Sequence, residues 1–196
     1  TAVHNTPGRF KQSVTQSSFD AWTKYYKQDE NAINSIISYY SKGSLIALGL
    51  DLLIQKESAG QHSLDDVMRE LCTCYGRDFY RQTPQLGLED FEVVELIKRA
   101  TGVDCKEFID LYVKGTQDVP LTELLPVNGW QLQEEKGSKA ELQIKTRVVE
   151  GQCQIAQVIE QGAAHLGCLS AGDFLLAIDK IKVDSQNLSK LLSRYR

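Results

Sequence analysis

Apolar positions recur at helical spacing over roughly the first two thirds of the chain and in short alternating runs over the last third. Phe19, Trp22, Tyr25 and Tyr26 stand at i, i+3, i+6 and i+7, which predicts a helix entered at Ser18 as N-cap. A polar loop, Gln28-Asp29-Glu30-Asn31, precedes a long helix expected over about Asn34–Ile54. The second half of that helix is apolar almost all round, as a helix central to a core would be. Ser63-Leu64-Asp65-Asp66 has the form of an N-terminal capping box, with Asp in place of Glu or Gln, and predicts a helix to Tyr75 that stops at Gly76. Pro84 and Gly87 bracket a break. Helices are then expected over Leu88–Ala100, stopped by Gly102, and from Asp104 as cap to Lys114, stopped by Gly115.

The pattern changes at Pro126-Val127-Asn128-Gly129, where a domain boundary is expected. Beyond it, strands are predicted over Trp130–Gln133, Glu141–Val149, Cys153–Ile159, Phe174–Ile178 and Ile181–Val183, with Glu150-Gly151 as a hairpin turn. Gly162–Leu169 and Ser185–Tyr195 read as helices. The expected fold is therefore multi-domain, α then mostly β. An irregular helical bundle over 1–126 precedes a β domain over 127–196. No fixed-period repeat occurs, which argues against a solenoid.

Composition narrows the class. The chain has 196 residues, 42% hydrophobic and 24% charged, in the range of globular domains. A net charge of -4 and no Lys/Arg cluster argue against a nucleic-acid partner. No apolar run approaches the ~20 residues that span a bilayer, so no membrane partner is expected. Five cysteines in no regular framework (Cys72, Cys74, Cys105, Cys153 and Cys168) are expected as free structural thiols in a reducing compartment, hence a cytoplasmic location. The opening Thr1-Ala2-Val3, without Met, suggests that residue 1 is not a natural start, so the lack of a leader says little.

Candidate chemistry is sparse. His4, His62 and His165 lie in unrelated segments, and no H-E-x-x-H, Ser-His-Asp or Cys-His arrangement can be drawn from them. No metal ligand is expected here. The sharpest local signal is Tyr39-Tyr40-Ser41-Lys42-Gly43. Glycine inside a helix costs roughly 1 kcal/mol relative to alanine. Gly43 is therefore expected to meet a neighbouring backbone or a ligand. On physics alone Tyr40 is most simply a half-buried aromatic with its hydroxyl satisfied. Tyr39 and Tyr40 are expected to point apart, as adjacent helix residues do.

Y-x-K-G followed by an apolar helix resembles the gluzincin aminopeptidases. The ordered run of Thr6-Pro7-Gly8-Arg9, Ser18-Phe19-Asp20-Ala21-Trp22, Asp29-Glu30-Asn31-Ala32, Ile37 to Gly43 and Ser63 to Arg69 is similar to the glycyl aminopeptidase family. That resemblance implies the end of a thermolysin-like catalytic domain followed by a PDZ domain. It implies a zinc enzyme that removes N-terminal residues, glycine or alanine, from peptide substrates. The zinc ligands and the general-base glutamate would lie before Thr1, so no zinc is expected on this chain, which alone would be inactive. Tyr40 matches the tyrosine whose hydroxyl stabilises the tetrahedral intermediate in that family. Asp29, Glu30, Asn31 and Tyr39 are candidates for the substrate cleft, against the alternative of a solvated capping loop. Arg9 reads equally as a substrate anchor or a surface ion pair.

Gly162-Ala163-Ala164 through Asp173-Phe174-Leu175-Leu176 resembles the G-S-P-A-x-x-A-G-L-x-x-G-D segment of PDZ domains, whose partner is a peptide or protein strand. The carboxylate-binding G-Φ-G-Φ loop is not matched. Gly137 to Leu142 departs from it, and Glu141 would repel a carboxylate. The last strand is absent after Ser185–Tyr195, so a truncated PDZ-like fold is expected. His165 is expected as an exposed helix residue. The alternative from another class is a non-catalytic adaptor whose helical domain presents the PDZ-like module.

Overall fold

The computed structural model describes residues 3–77, 79–81, 87–133, 140–184 and 186–195. Its helices, in chain order, are α1 (Val14–Phe19), α2 (Ala32–Ser35), α3 (Tyr39–Glu57), α4 (Leu64–Leu71), α5 (Val93–Thr101), α6 (Lys106–Phe108) and α7 (Leu121–Leu124). Then come β1 (Ile144–Val149), β2 (Gln152–Val158), α8 (Ala163–Leu166), β3 (Ala177–Ile178), β4 (Ile181–Lys182) and α9 (Leu188–Leu192). Helix predominates, with a small β part of two two-stranded sheets, so the broad order of helices followed by strands holds. Contacts group the chain into two compact units. One comprises Ser13–Ser18 and Ser38–Gln133; the other comprises Thr1–Gln12, Phe19–Ile37 and Glu134–Arg196.

The first unit is a helical bundle around α3. Ile46, Leu50 and Ile54 of α3 pack with Val67 of α4, Leu96 and Ile97 of α5, Cys105 and Phe108. Ile54 is fully buried. Burying such a side chain contributes about 1.5–3 kcal/mol. Local signals fix the ends of these helices. The capping box forms as expected: the Ser63 N–H donates to Asp66 Oδ2 at 3.0 Å, and the Ser63 side chain accepts from the backbone at position 66. Gly102 closes α5 in the left-handed conformation, φ 75°. Asp104 Oδ1 accepts the Lys106 N–H at 3.1 Å. Pro84 lies outside the described residues, so the expected break beside it is not described.

Several expectations on the helices fail for identifiable reasons. The long helix does not start near Asn34. α2 ends at Ser35, residues 36–38 carry no helix, and α3 starts only at Tyr39. Ser38 is its N-cap, extended at φ -68° and ψ 114°, and its hydroxyl accepts the Ser41 N–H at 3.2 Å. The helix predicted after Ser18 is instead the last turn of α1 and a separate π-helical turn, Ala21–Tyr25. Its aromatic stripe is no core face: Phe19 is 88% and Trp22 79% exposed. Gly43 meets nothing, since a methyl there would find open space. The glycine that allows close packing is Gly49, where a methyl would collide with Val119. Pro126 to Gly129 is a 3-10 turn closed by Gly129 at φ 73°, which follows α7.

The second unit is built on a hairpin. β1 and β2 pair antiparallel with Val149 opposite Gln152, which leaves Glu150 and Gly151 as a two-residue loop. Both have positive φ, 51° and 77°, the conformation of a type I′ turn. The expected strand at Trp130–Gln133 is absent, β1 begins at Ile144 rather than Glu141, and Phe174–Ile178 shrinks to a bridge at Phe174 and the two residues of β3. The predicted helices shorten to α8 and α9. The clustered apolar core here is small, Cys153, Val183 and Leu191, with Ile37 and Ile155 buried outside that cluster. Polar groups supplement it. Asn34, 7% exposed, donates to the Val158 carbonyl at 2.8 Å and accepts the Glu160 N–H at 2.8 Å. Buried Gln12 accepts the Ile37 N–H at 3.1 Å. A methyl at Gly8 would collide with the Ile36 backbone, so two backbones cross there.

Candidate functional site

Tyr39 and Tyr40 are the first two residues of α3, in the helical unit. Ser38 fixes the direction in which this turn leaves the chain. Tyr40 is 60% exposed. The two rings do not diverge as expected; their centroids are 4.2 Å apart and the planes tilt by 31°. Both side chains belong to the first turn, where no preceding turn holds them to the helix face. Two positions on, Lys42 is 2% exposed, and its Nζ donates to the Thr116 carbonyl at 2.8 Å. A rotation of about 200° separates positions two apart on a helix, so an inward Lys42 sets Tyr40 outward.

Asp29, Glu30 and Asn31 lie in the other unit and are described by themselves. All three are exposed. Asp29 Oδ1 accepts the Asn31 N–H at 3.0 Å, and Asn31 Oδ1 accepts from Asn34 Nδ2 at 3.0 Å. Asn31 is also the N-cap position of α2. Two of the three side chains therefore hold the loop in shape. Glu30 lines two open clefts of this unit. One, of about 430 Å³, is shared with Lys11, Asn34, Glu160 and His165. The other, of about 710 Å³, is shared with Lys145, Arg147 and Gln157. Lys11 pairs with Glu160, which holds that carboxyl below its usual range. His165 is exposed, as expected. Arg9 donates to the His4 carbonyl and lies 4.1 Å over the Phe10 ring.

A third cleft in this unit, of about 640 Å³, runs along β1 and α9 and includes Glu141, Leu142, Ile144, Leu188 and Leu192. The segment expected to correspond to a carboxylate loop falls partly outside the described residues, at Gly137, Ser138 and Lys139. Glu141 lines the cleft.

The cysteines are free thiols. Desolvation and the Glu70 carboxylate push Cys74 up, and burial pushes Cys105 up, so neither is an activated nucleophile. Among the described residues no three His, Cys, Asp or Glu side chains gather as metal donors. The zinc that the family resemblance implies thus finds no donor set among them. No helix among them is long and apolar enough to cross a membrane.

Residues 1–46 match the sequence model of the M61 glycyl aminopeptidase family. No curated protein matches the chain. Among solved structures, an aminopeptidase N family protein from Idiomarina loihiensis is similar over 99% of this chain, with 33% identity and a TM-score of 0.82. The chain covers 34% of that protein, about a third of its length. Both matches are to aminopeptidases. Residues 1–46 are thus similar to the M61 glycyl aminopeptidase family, and nearly the whole chain is similar to an aminopeptidase.

Sequence reasoning singled out Tyr40 but missed what holds it. The burial of Lys42 and its bond to Thr116 have no local signature, because the partner lies 74 residues away. Ser38 as N-cap was legible in principle, since a Ser followed by an uninterrupted helical stretch is a start signal.

Proposed function

We propose that the chain is part of an aminopeptidase that hydrolyses N-terminal residues, glycine or alanine first, from peptides, and that Tyr40 serves its chemistry. Hydrolysis of a peptide bond builds negative charge on the carbonyl oxygen as a tetrahedral intermediate forms. A phenol hydroxyl aimed at that oxygen donates a hydrogen bond stronger in the transition state than in the ground state, which lowers the barrier. The observation that carries this reading is the placement of Tyr40: outward, in a capped first turn that Lys42 holds from the opposite side. Catalytic zinc, which the family resemblance assigns to the whole enzyme, would be held by residues other than those described here.

Tyr39, stacked on Tyr40, is proposed to line the substrate cleft. Glu30, an exposed acidic group on a loop that Asp29 and Asn31 shape, is proposed to bind a peptide ammonium. The unit with β1, β2 and α9 is proposed to be PDZ-like, with the cleft along β1 as the surface for a peptide or protein partner.

Steady-state hydrolysis of an N-terminal glycyl or alanyl substrate by the full-length enzyme tests the Tyr40 assignment. Tyr40→Phe is expected to lower kcat by about 100–1,000-fold, the usual cost of losing one such donor. KM and zinc content should stay as in the wild type. Wild-type turnover in that variant overturns the assignment.

A further inference from the structure

Lys42 is a costly residue where it stands. It is 2% exposed, among the most buried side chains of the helical unit. Burial disfavours a charge unless partners compensate. It sits at the end of the first turn of α3, and helical side chains lean toward the N-terminus. That end carries the positive pole of the helix dipole, which disfavours a cation. A straight apolar side chain such as Met would fill the same volume without either cost. The lysine reaches the carbonyl of Thr116, to which its Nζ donates at 2.8 Å.

The segment it reaches is also placed with care. Lys42, Ile46, Gly49 and Leu50 form the buried face of α3 at i, i+4, i+7 and i+8. Val119 sits against Gly49, so close that no side chain fits between them. The 116–119 segment therefore meets α3 at two points along one face. One is a close apolar contact in the middle of the helix. The other is the ammonium at its N-terminal turn, which is the turn that bears Tyr40. Burial alone would seat the segment through Val119. The lysine adds a directional bond where the hydroxyl must be aimed.

We infer that Lys42 is a positioning residue for the proposed reaction: its buried ammonium, held on the Thr116 carbonyl, sets the rotation of the α3 first turn and thereby the aim of the Tyr40 hydroxyl. This rests on the assignment of Tyr40 above. Lys42 touches no substrate. It acts through the turn two residues away, so its loss should reach kcat through Tyr40 and leave substrate binding in place.

The test is a double-mutant cycle in the full-length enzyme, with kcat and KM measured for wild type, Tyr40→Phe, Lys42→Met and the double variant. Lys42→Met is expected to lower kcat by about 10–100-fold with KM unchanged, the scale of a small misplacement of a catalytic group. In the Tyr40→Phe background the same change should cost almost nothing more, because the group it aims is already gone. Lys42→Arg, which keeps a cationic donor, should retain more activity than Lys42→Met. A Lys42→Met loss that is equally large in both backgrounds, with Tyr40→Phe impaired, overturns the positioning role and leaves the Tyr40 assignment standing. Full activity in Tyr40→Phe overturns both. Where Lys42→Met does not fold, Lys42→Gln enters the same cycle. Coupling to Tyr40 supports the inference, and additivity overturns it.

Discussion

The two units of this chain are held together by different means. The helical unit has one contiguous apolar core, with Ile54, Leu96 and Ile97 almost wholly buried and helix ends fixed by caps. The hairpin unit has a core of a few apolar residues and relies on buried amides, Asn34 above all, that tie segments far apart in sequence. Apolar burial is non-directional and tolerates repacking. A buried amide is directional, and leaving its partners unpaired is expensive. The helical unit should therefore respond to changes of volume, and the hairpin unit to changes of hydrogen bonding.

The comparison breaks most readily at Ile54. Ile54→Ala should cost about 2–5 kcal/mol, read as a fall in the denaturant midpoint of the helical unit. Asn34→Leu sharpens it. Volume is nearly kept, yet the Val158 carbonyl and the Glu160 N–H lose their partner. A loss of about 1–3 kcal/mol for each unsatisfied group is expected. Hydrogen exchange should rise around β2 while amides of α3 stay protected. A neutral Asn34→Leu would mean that the hairpin unit is also held mainly by apolar packing. A smaller effect is expected at the cap: Ser63→Ala should cost about 1 kcal/mol, seen in a thermal melt.

Smallest is the acid response of the same cap. The Ser63 N–H holds the Asp66 carboxyl below its usual range; desolvation opposes it as the next-largest effect, and the His62 side chain and Arg69 add smaller lowering contributions. A carboxyl whose folded pKa is depressed stabilises the fold above its unfolded pKa, and this is lost as pH falls through the folded value. Asp66→Asn should flatten the acid limb of a stability–pH curve and leave the neutral region little changed in slope.

The same contrast decides what the sequence made legible. The capping box at Ser63, the stop at Gly102 and the turn at Glu150-Gly151 are local, and each forms as read. Periodicity found the core of α3 but not its start, because Asn34 to Ile37 continues the apolar rhythm although Asn34 serves the hairpin unit. Phe19 and Trp22 stand at helical spacing yet are exposed, since spacing alone does not say whether anything covers a face. Asn34 and Lys42 were illegible in role because their partners lie 124 and 74 residues away. For the candidate site, Tyr40 was readable from its motif and Ser38 in principle from its start signal, the role of Lys42 only from the fold. Gly43 showed the limit of reading a glycine for close approach: the crowded positions include Gly8, Gly49, Gly115 and Gly162.

The central claim is that the Tyr40 hydroxyl meets the oxyanion of the intermediate rather than the ground-state peptide. Its most direct measurement is the affinity of a phosphinic pseudopeptide, whose tetrahedral anion mimics that intermediate, for the full-length enzyme with and without the hydroxyl. Tyr40→Phe should weaken the phosphinic compound by about 100-fold or more, in step with kcat/KM, while the KM of the matching substrate stays unchanged. Equal affinity of the two enzymes for the phosphinic compound would contradict the account.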